Sequence, residues 1–328
     1  MINTRKTRRP RKSRAPVLIL LAALALSGPV WADANSAATG GEQGIDLRPR
    51  FTEGRTARYS VWTLRSISNS ASVGEHTRSF DQETTTEGEV SWTVKQVHPD
   101  GSASCVMLVH WMTWSGRLPD GSVVVNDSRE PTGDNEEAHR LVVAMCDVPL
   151  TFEVSADGTV NDVSGIDAIS NAVDQDQRVP DALDFMESAT DLALVAAAPP
   201  ATAAGDEWDA QFTWNHNFGP MHQRMKYSLD SVEQVEGIRV ATVTGRASLE
   251  LEVDPAKIPA AGPPLDIQLT EGDLRTQIMF DLSRHEAVGR NTVEERVVEM
   301  TGDLGGGRTF QTVIEERIHS QVLRIAEQ

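Results

Sequence analysis

Apolar and polar residues alternate along most of the chain after residue 45. The alternation is clear over Arg58–Leu64 and Glu89–Val97, and a period of two residues is typical of half-buried β-strands. Three Asp-Gly pairs, at 100–101, 120–121 and 157–158, separate such segments. Because Asp-Gly favours tight hairpin turns, the pattern predicts antiparallel sheet. After Gly205, strands are predicted over 211–216, 225–229, 238–253, 274–282, 293–300 and 309–325.

The segment Cys105–Trp114 differs because both of its alternating sets are apolar. Such a strand is expected to be covered on both faces. Thr132 or Asp134 is predicted to cap a helix that ends near Cys146 and provides a cover. The apolar stripe of this helix recurs at helical spacing and consists of Ala138, Leu141, Val142 and Met145.

The middle of the chain has a different composition. Residues 166–173 and 180–198 are predicted to be helices with acidic faces, and Pro199-Pro200 makes a clear break. The halves on either side echo each other loosely. We expect a mainly β (α+β) fold, with one or more large curved antiparallel sheets from two loosely duplicated halves and a helical middle segment. The predicted parts are a first β half at 45–165, an acidic helical segment and linker at 166–204, and a second β half at 205–328.

The first 32 residues predict a secretory signal peptide. Seven basic residues and no acidic residue precede an apolar run at Val17–Leu26, and the small residues Val30 and Ala32 suit cleavage after Ala32. The run is shorter than the roughly 20 apolar residues that a membrane span needs, and a retained anchor is the alternative. Cleavage changes the formal net charge from -18 to -25. Residues 33–44 then form a flexible leader, and we expect a soluble periplasmic or extracellular product without a membrane span.

The acidic balance, 48 Asp and Glu against 30 Lys and Arg, argues against nucleic-acid binding because no basic groove offsets it. Export would also place the two cysteines in a compartment where disulfides persist. The sequence therefore predicts a Cys105–Cys146 disulfide that ties the predicted helix to the doubly apolar strand. The alternative is that Cys105, inside an apolar run, is a buried free thiol.

Sequence motifs for cofactors, metals and nucleophiles are not found. His285-Glu286 begins like a zinc-protease helix, but Gly289 stands where the second histidine belongs. His216 and His222 flank a predicted loop without an evident third metal ligand. No Gly-x-Ser-x-Gly elbow and no phosphate-binding glycine loop occur. We predict no catalytic residue, no metal and no cofactor, although a pair of hydrolase carboxylates would have no sequence signature.

Aromatic residues in the first half form the one candidate ligand site. Tryptophan combines a large apolar ring with an N–H donor, so a cluster of tryptophans can hold sugars or apolar ligands. The alternative is that these side chains pack in the core, with the histidine among them as a buried, hydrogen-bonded imidazole. The candidate ligand-binding residues are His110, Trp111, Trp114, Trp92 and Trp62.

Two local motifs carry a family resemblance. The first is Gly205-Asp206-Glu207-Trp208, followed by Tyr227-Ser228-Leu229 and Val235-Glu236-Gly237. The second is the segment 123–128, a strand that ends in Asp-Ser. Both resemble uncharacterised families of exported bacterial β-rich proteins, domains of unknown function in which an aromatic is frequent at the position of Asn126. By pattern only, the layout also resembles the open half-barrels of periplasmic lipoprotein carriers, which hold acyl chains between a curved sheet and helices.

Three functions are compatible with these patterns. The first is a non-catalytic exported protein that binds an apolar or amphipathic ligand, or another cell-envelope component, in the concavity of its sheet. Its basis is the doubly apolar strand at 105–114 beside amphipathic helices. The second is a hydrolase that acts on an envelope polymer through two carboxylates. The third is a structural or protein-docking module.

Processing after Ala32 is directly measurable. If the signal peptide is removed as predicted, protein purified from its own cell envelope begins at Asp33, and its intact mass lacks residues 1–32. N-terminal sequencing together with intact mass spectrometry checks this expectation. A mature chain that still contains the apolar run Val17–Leu26 would contradict cleavage and favour the anchor.

Overall fold

The alternating segments form a single antiparallel sheet. The computed structural model describes residues 44–117, 121–165, 168–169, 198–216, 218–235, 237–257, 265–306 and 308–325. The helix α1 spans Glu136–Asp147, and a short 3-10 helix spans Pro255–Lys257. The twelve strands within the described residues are β1 (Thr56–Val73), β2 (His76–Val97), β3 (Ala103–Arg117), β4 (Val123–Asp127), β5 (Leu150–Val154), β6 (Val160–Ser164), β7 (Glu207–His216), β8 (Gly219–Val235), β9 (Ile238–Leu251), β10 (Leu265–Asp281), β11 (Glu286–Gly305) and β12 (Arg308–Arg324).

The mainly β fold class is confirmed, and strands from both predicted halves contribute to the same sheet. The order across the sheet is β6-β5-β3-β2-β1-β12-β11-β10-β9-β8-β7, and β4 pairs with β3 beside this path. β1 therefore pairs with β12. Across the sheet, the strands of the first half follow each other from β6 to β1, and those of the second half continue from β12 to β7. The predicted signal peptide at 1–32, the leader apart from Gly44, and most of the predicted helical segment at 166–204 lie outside the described residues.

One face of the sheet, here called the inner face, carries the core. A first cluster combines β1, β2, β3 and β5 with α1, and a second combines β7–β11 with the segment around Leu47. Phe212 on β7, at one edge of the sheet, packs against both clusters. Since the first cluster includes strands near the other edge, the sheet curves around its inner face and makes that face concave.

The doubly apolar strand is covered on one face only. Cys105, Met107 and Val109 of β3 are buried on the inner face, where α1 packs, whereas Leu108 on the outer face is exposed. The expectation of cover on both faces was therefore wrong. A β-bulge at this point shifts the pairing with β2 by one residue, so Met112 continues the inner face after Val109.

The helix forms where its apolar stripe predicts, but a different residue caps it. The side chain of Asn135 accepts hydrogen bonds from the backbone N–H groups of the first turn, at 3.0 and 3.1 Å. Asp134, a predicted cap, accepts instead from Val125 N at 2.9 Å, and the buried Asn126 side chain accepts from Asn135 N at 3.1 Å. These bonds join β4 to the start of the helix. The buried residues of the predicted stripe are Leu141, Val142 and Met145.

The predicted Cys105–Cys146 disulfide does not form, and both cysteines are free thiols. Cys105 lies opposite Phe152 near the start of β3, whereas the Cys146 side chain lies beside Ser128 and the backbone of Met112. At about 3.3 Å per residue, roughly 23 Å of strand separates Cys105 from Met112. A disulfide requires Cα atoms no more than about 7 Å apart.

The free thiols should react at very different rates. Burial, assisted by the negative charge of Glu153, raises the pKa of Cys105 to about 12, so this thiol stays protonated and unreactive near neutral pH. Burial also raises the pKa of Cys146, which is only partly buried. We expect a thiol reagent to label two cysteines in denatured, unreduced protein and to label Cys105 very slowly in native protein. Denatured protein without reactive thiols would contradict the free state of both cysteines.

Candidate functional site

The five candidate ligand residues are divided between the two faces of the sheet. Trp92 is buried on the inner face and contacts Phe152, with ring centroids 4.7 Å apart. Trp114, also on the inner face, packs against the first core cluster. Both side chains therefore contribute to the packing that connects β2, β3 and β5.

The remaining candidates lie outside this core. Trp62 and His319 contact each other edge to face on the outer side of β1 and β12, with ring centroids 5.1 Å apart. The Arg129 guanidinium lies 4.2 Å from the ring centroid of Trp111, a cation–π contact. His110 is exposed at the β-bulge. The structure therefore does not bring the five side chains together in one site.

A row of hydroxyl side chains crosses the inner face instead. It is defined by five residues on five neighbouring strands that are paired directly in the register: Thr86, Thr63, Ser320, Thr292 and Thr276. All five are buried, and the hydroxyls of the last two lie 2.9 Å apart. The Thr63 hydroxyl has no hydrogen-bond partner in the described part of the chain. A buried, unpaired hydroxyl is uncommon and indicates a place where water or a ligand group can bind.

A cluster of four charged side chains lies next to the hydroxyl row on the inner face. Glu316 of β12 contacts Arg65 of β1 and, through Oε2, lies 2.6 Å from Nε of Arg296 on β11. The same Nε lies 3.4 Å from Oε1 of Glu294. Each of the four side chains is at most 15% exposed. We call Arg65, Glu294, Arg296 and Glu316 the charged cluster; it has two charges of each sign.

Beyond the charged cluster, apolar side chains recur on the inner face between polar ones such as Asn69 and Thr312, and the face loses its cover. This region lies toward the end of the sheet that has the β1–β2 and β11–β12 turns, here called the distal end. Two of its residues are exposed on β1 and β2, and the members on β10, β11 and β12 are buried or half-buried. The residues of this distal band are Val73, Phe80, Ile267, Val298, Met300, Phe310 and Ile314.

Two surface cavities accompany these features. A groove of about 900 Å³ is lined mainly by outer-face residues, among them Ser66 and Arg317, and no residue of the distal band lines it. A second cavity of about 540 Å³ includes Thr213, His222 and Glu252. His222 lies 3.1 Å from the Thr213 hydroxyl and 3.2 Å from the Glu252 carboxylate. That order resembles a nucleophile, a base and an orienting acid, but the Glu252 side chain is 71% exposed, whereas a catalytic triad keeps its acid buried.

Three carboxylates of the described residues have a lowered pKa, which favours their anionic form. A hydrogen bond from Arg48 lowers the pKa of Asp46 to about 2, and a hydrogen bond from Arg129 lowers the pKa of Asp127. The Ser102 hydroxyl lowers the pKa of Asp100 in the same way. A general acid needs the opposite shift. In the described part of the chain, no three His, Cys, Asp or Glu side chains lie close enough to hold a metal ion.

Comparisons with known proteins do not identify a function. No family model and no curated protein matches the chain. The crystal structure of OccK5 (OpdH) from Pseudomonas aeruginosa aligns with 81% of this chain and 98% of its own, at 9% sequence identity and a TM-score of 0.16. A TM-score this low carries no argument about fold or function. Within the described residues, no helix is both long enough and apolar enough to cross a membrane.

The charged cluster makes a testable contribution to stability. Glu316→Gln removes the carboxylate between Arg65 and Arg296, and breaking a buried ion pair costs about 3–5 kcal/mol because the remaining charge is uncompensated. The matched control is Glu250→Gln, since Glu250 and Arg224 form an exposed pair at 3.5 Å, for which we expect a loss of about 1 kcal/mol or less. Urea unfolding of both variants measures the difference. Equal effects would show that the charged cluster is not a buried network.

Proposed function

We propose that the protein is a non-catalytic exported binding protein that holds an amphipathic ligand along the distal band. One observation carries this proposal: apolar side chains recur on the concave inner face beyond the core, between polar residues such as Asn69 and Thr312, on a half-open surface. Phe80 and Val73 are exposed there, although Ile314, Phe310 and Met300 beside them are partly covered. An apolar surface of this kind, bordered by polar residues, is typical of a binding groove.

The polar groups next to the distal band suit the polar head of an amphipathic molecule. The charged cluster has two arginines that can donate hydrogen bonds and two carboxylates that can accept them, and it lies next to Ile314 on the inner face. The unpaired Thr63 hydroxyl adds a buried hydrogen-bonding group in the next part of the inner face. A ligand with a polar head at the charged cluster and an apolar chain along the band would satisfy both regions.

The length of the band supports an acyl chain as the apolar part. From Glu316 to Phe310 the strand β12 extends about 20 Å at ~3.4 Å per residue. One leaflet of a bilayer core, which is one acyl chain deep, is about 15 Å thick. The distal band is therefore long enough for one extended acyl chain. The resemblance to half-barrel lipoprotein carriers supports the same class of ligand.

The alternative functions have less support from the geometry. Glu294 and Glu316 are both close to Arg296 inside the concavity, so two carboxylates do lie together. However, both side chains are at most 15% exposed and lie against Arg296, whereas the two carboxylates of a glycosidase flank the substrate bond that they cleave. A structural module would need no open apolar surface on the concave side. Export through a cleaved signal peptide remains part of the proposal, since the acidic mature chain suits a soluble envelope protein.

A pair of variants on one strand tests ligand binding. Ile314 belongs to the distal band, whereas Val313 is also half-buried but lies on the outer face one residue away. We expect Ile314→Glu to weaken the binding of a fluorescent fatty acid at least about tenfold, equivalent to ~1.4 kcal/mol. The new carboxylate would be buried against the apolar chain of the fatty acid. Val313→Glu should bind as the unchanged protein does, and fluorescence titration of all three measures this.

Two further results would decide against the proposal. The first is that both glutamate variants lose affinity equally, which would show that the probe does not distinguish the faces. The second is that protein purified from its own envelope contains no co-purifying amphiphile by lipid extraction and native mass spectrometry, and that the purified protein also fails to bind the fatty acid. Circular dichroism of each variant confirms that the sheet is retained before affinities are compared.

A further inference from the structure

A small pocket lies at the end of the sheet opposite the distal end. We call this end the proximal end; it has the start of β1, the end of β2 and the β10–β11 turn. The pocket has a volume of about 50 Å³ and lies between the inner face and the chain that precedes β1. Because one water needs roughly 10–15 Å³ of such space, the pocket has room for about four non-hydrogen atoms.

The walls of this proximal pocket are mostly apolar. Tyr59 of β1 and Trp92 of β2 are buried beneath it. Phe51, Ala57 and Val94 also line it and pack against the same first core cluster. A ligand group that enters the pocket is therefore surrounded by aromatic and aliphatic side chains on most sides.

Arginines supply the polar part of the lining. Arg50 and Arg55 line the pocket together with one carboxylate, that of Glu286. Arg55 lies 2.9 Å from this carboxylate, Arg324 contacts it, and Arg284 approaches it to 3.9 Å. Burial raises the pKa of Tyr59, and the charges of Arg324 and Arg55 oppose that shift, so both guanidinium groups lie near the phenol. One carboxylate thus serves three guanidinium groups beside an apolar pocket.

Neighbouring carboxylates reduce the positive charge of this end without removing it. Arg48 and Arg50 share Asp46, and Arg284 lies 3.8 Å from Asp281. Through all these ion pairs, five arginines share three carboxylates, although the whole chain has a formal net charge of -18. A local excess of positive charge in an acidic protein favours the binding of an additional anion.

Backbone hydrogen bonds fix the two sides of the pocket. Gly54 N donates to Val94 O at 2.9 Å, and Val94 N donates to Arg55 O at 3.0 Å. Across the opening, Arg50 N donates to His285 O at 3.3 Å. His285 has a φ of 53°, the one positive value among the described non-glycine residues. Such conformations are maintained by their surroundings and are frequent at ligand sites, so the pocket is preformed.

We propose that the proximal pocket binds the carboxylate of a small apolar acid. The planar guanidinium of Arg55 matches the two oxygens of a carboxylate, and four non-hydrogen atoms correspond to a carboxylate and the carbon next to it. The apolar walls favour an acid with an apolar body, because a free inorganic anion would exchange its hydration shell for hydrocarbon. Ten residues of β12, about 34 Å of strand, separate Arg324 from Ile314, so this site is independent of the distal band.

Calorimetric titration of the purified full chain with benzoate tests the site. Arg55→Gln should weaken benzoate binding at least about tenfold, because it removes a charge-assisted pair of hydrogen bonds. The matched control is Arg58→Gln, since Arg58 lies on the same strand, contacts Glu89 and does not line the pocket. This control should bind as the unchanged protein does. Glu286→Gln removes the competing carboxylate and should strengthen binding about threefold or more.

Two related molecules separate the parts of the ligand. Benzyl alcohol lacks the carboxylate and inorganic phosphate lacks the apolar body, so each should bind at least about tenfold more weakly than benzoate. No binding of benzoate, or benzyl alcohol or phosphate that binds as well as benzoate does, would overturn the assignment. Equal losses in Arg55→Gln and Arg58→Gln would also overturn it.

The remaining variants separate binding from folding. Arg55→Lys keeps the positive charge beside Glu286 but loses the planar fork, so it should retain the unfolding midpoint and still bind benzoate more weakly. A lysine variant that binds benzoate fully would contradict recognition by the guanidinium. Ile314→Glu should lose fatty-acid binding and keep benzoate binding, so failure at either end of the sheet leaves the result at the other end standing.

Discussion

The pairing of the first strand with the last is the constraint on which the rest of the structure depends. β1 and β12 are paired residue by residue from Tyr59 with Arg324 to Val73 with Phe310, and this long seam joins the two halves into one sheet. Because side chains alternate, a slip of one residue along the seam would move every side chain of one half to the other face. The hydroxyl row, the charged cluster and the distal band all cross the seam. They exist as continuous features only in the observed register.

Local patterns were sufficient for the elements but not for their partners. Period-two alternation depends on near neighbours along the chain, so the strands from Arg58 onward and the stripe of α1 could be predicted. The Asn135 cap was missed because Thr132 and Asp134 are equally good caps in sequence, and contacts from Asn126 and Val125 decide between them. The disulfide was wrong for a similar reason: the point on β3 that meets the end of α1 is Met112, well away from Cys105.

The candidate site was harder to predict because it depends on which alternating set faces inward. In Val293–Met300 the valines at 293 and 297 favour an apolar face that excludes Glu294 and Arg296, yet these charged residues lie on the inner face. They are tolerated there because Arg65 and Glu316 come from strands distant in sequence and neutralise them. The candidate tryptophans do not cluster because side chains alternate between the two faces along each strand. The β-bulge in the β2–β3 pairing also places Trp111 on the outer face and Trp114 on the inner face. Neither effect has a signal in a single sequence.

The hydroxyl row and the charged cluster also determine how the protein responds to temperature. Unfolding exposes both apolar surface and the polar surface at the centre of this sheet. Exposed apolar surface raises the heat capacity of unfolding, whereas exposed polar surface lowers it. A smaller increment flattens the curve of stability against temperature. The hydration of charged groups also becomes less favourable on heating, so the cost of burying Arg65, Arg296, Glu294 and Glu316 falls as the temperature rises. At equal maximum stability, such an interior loses stability more slowly on cooling and on heating than a purely hydrocarbon interior does.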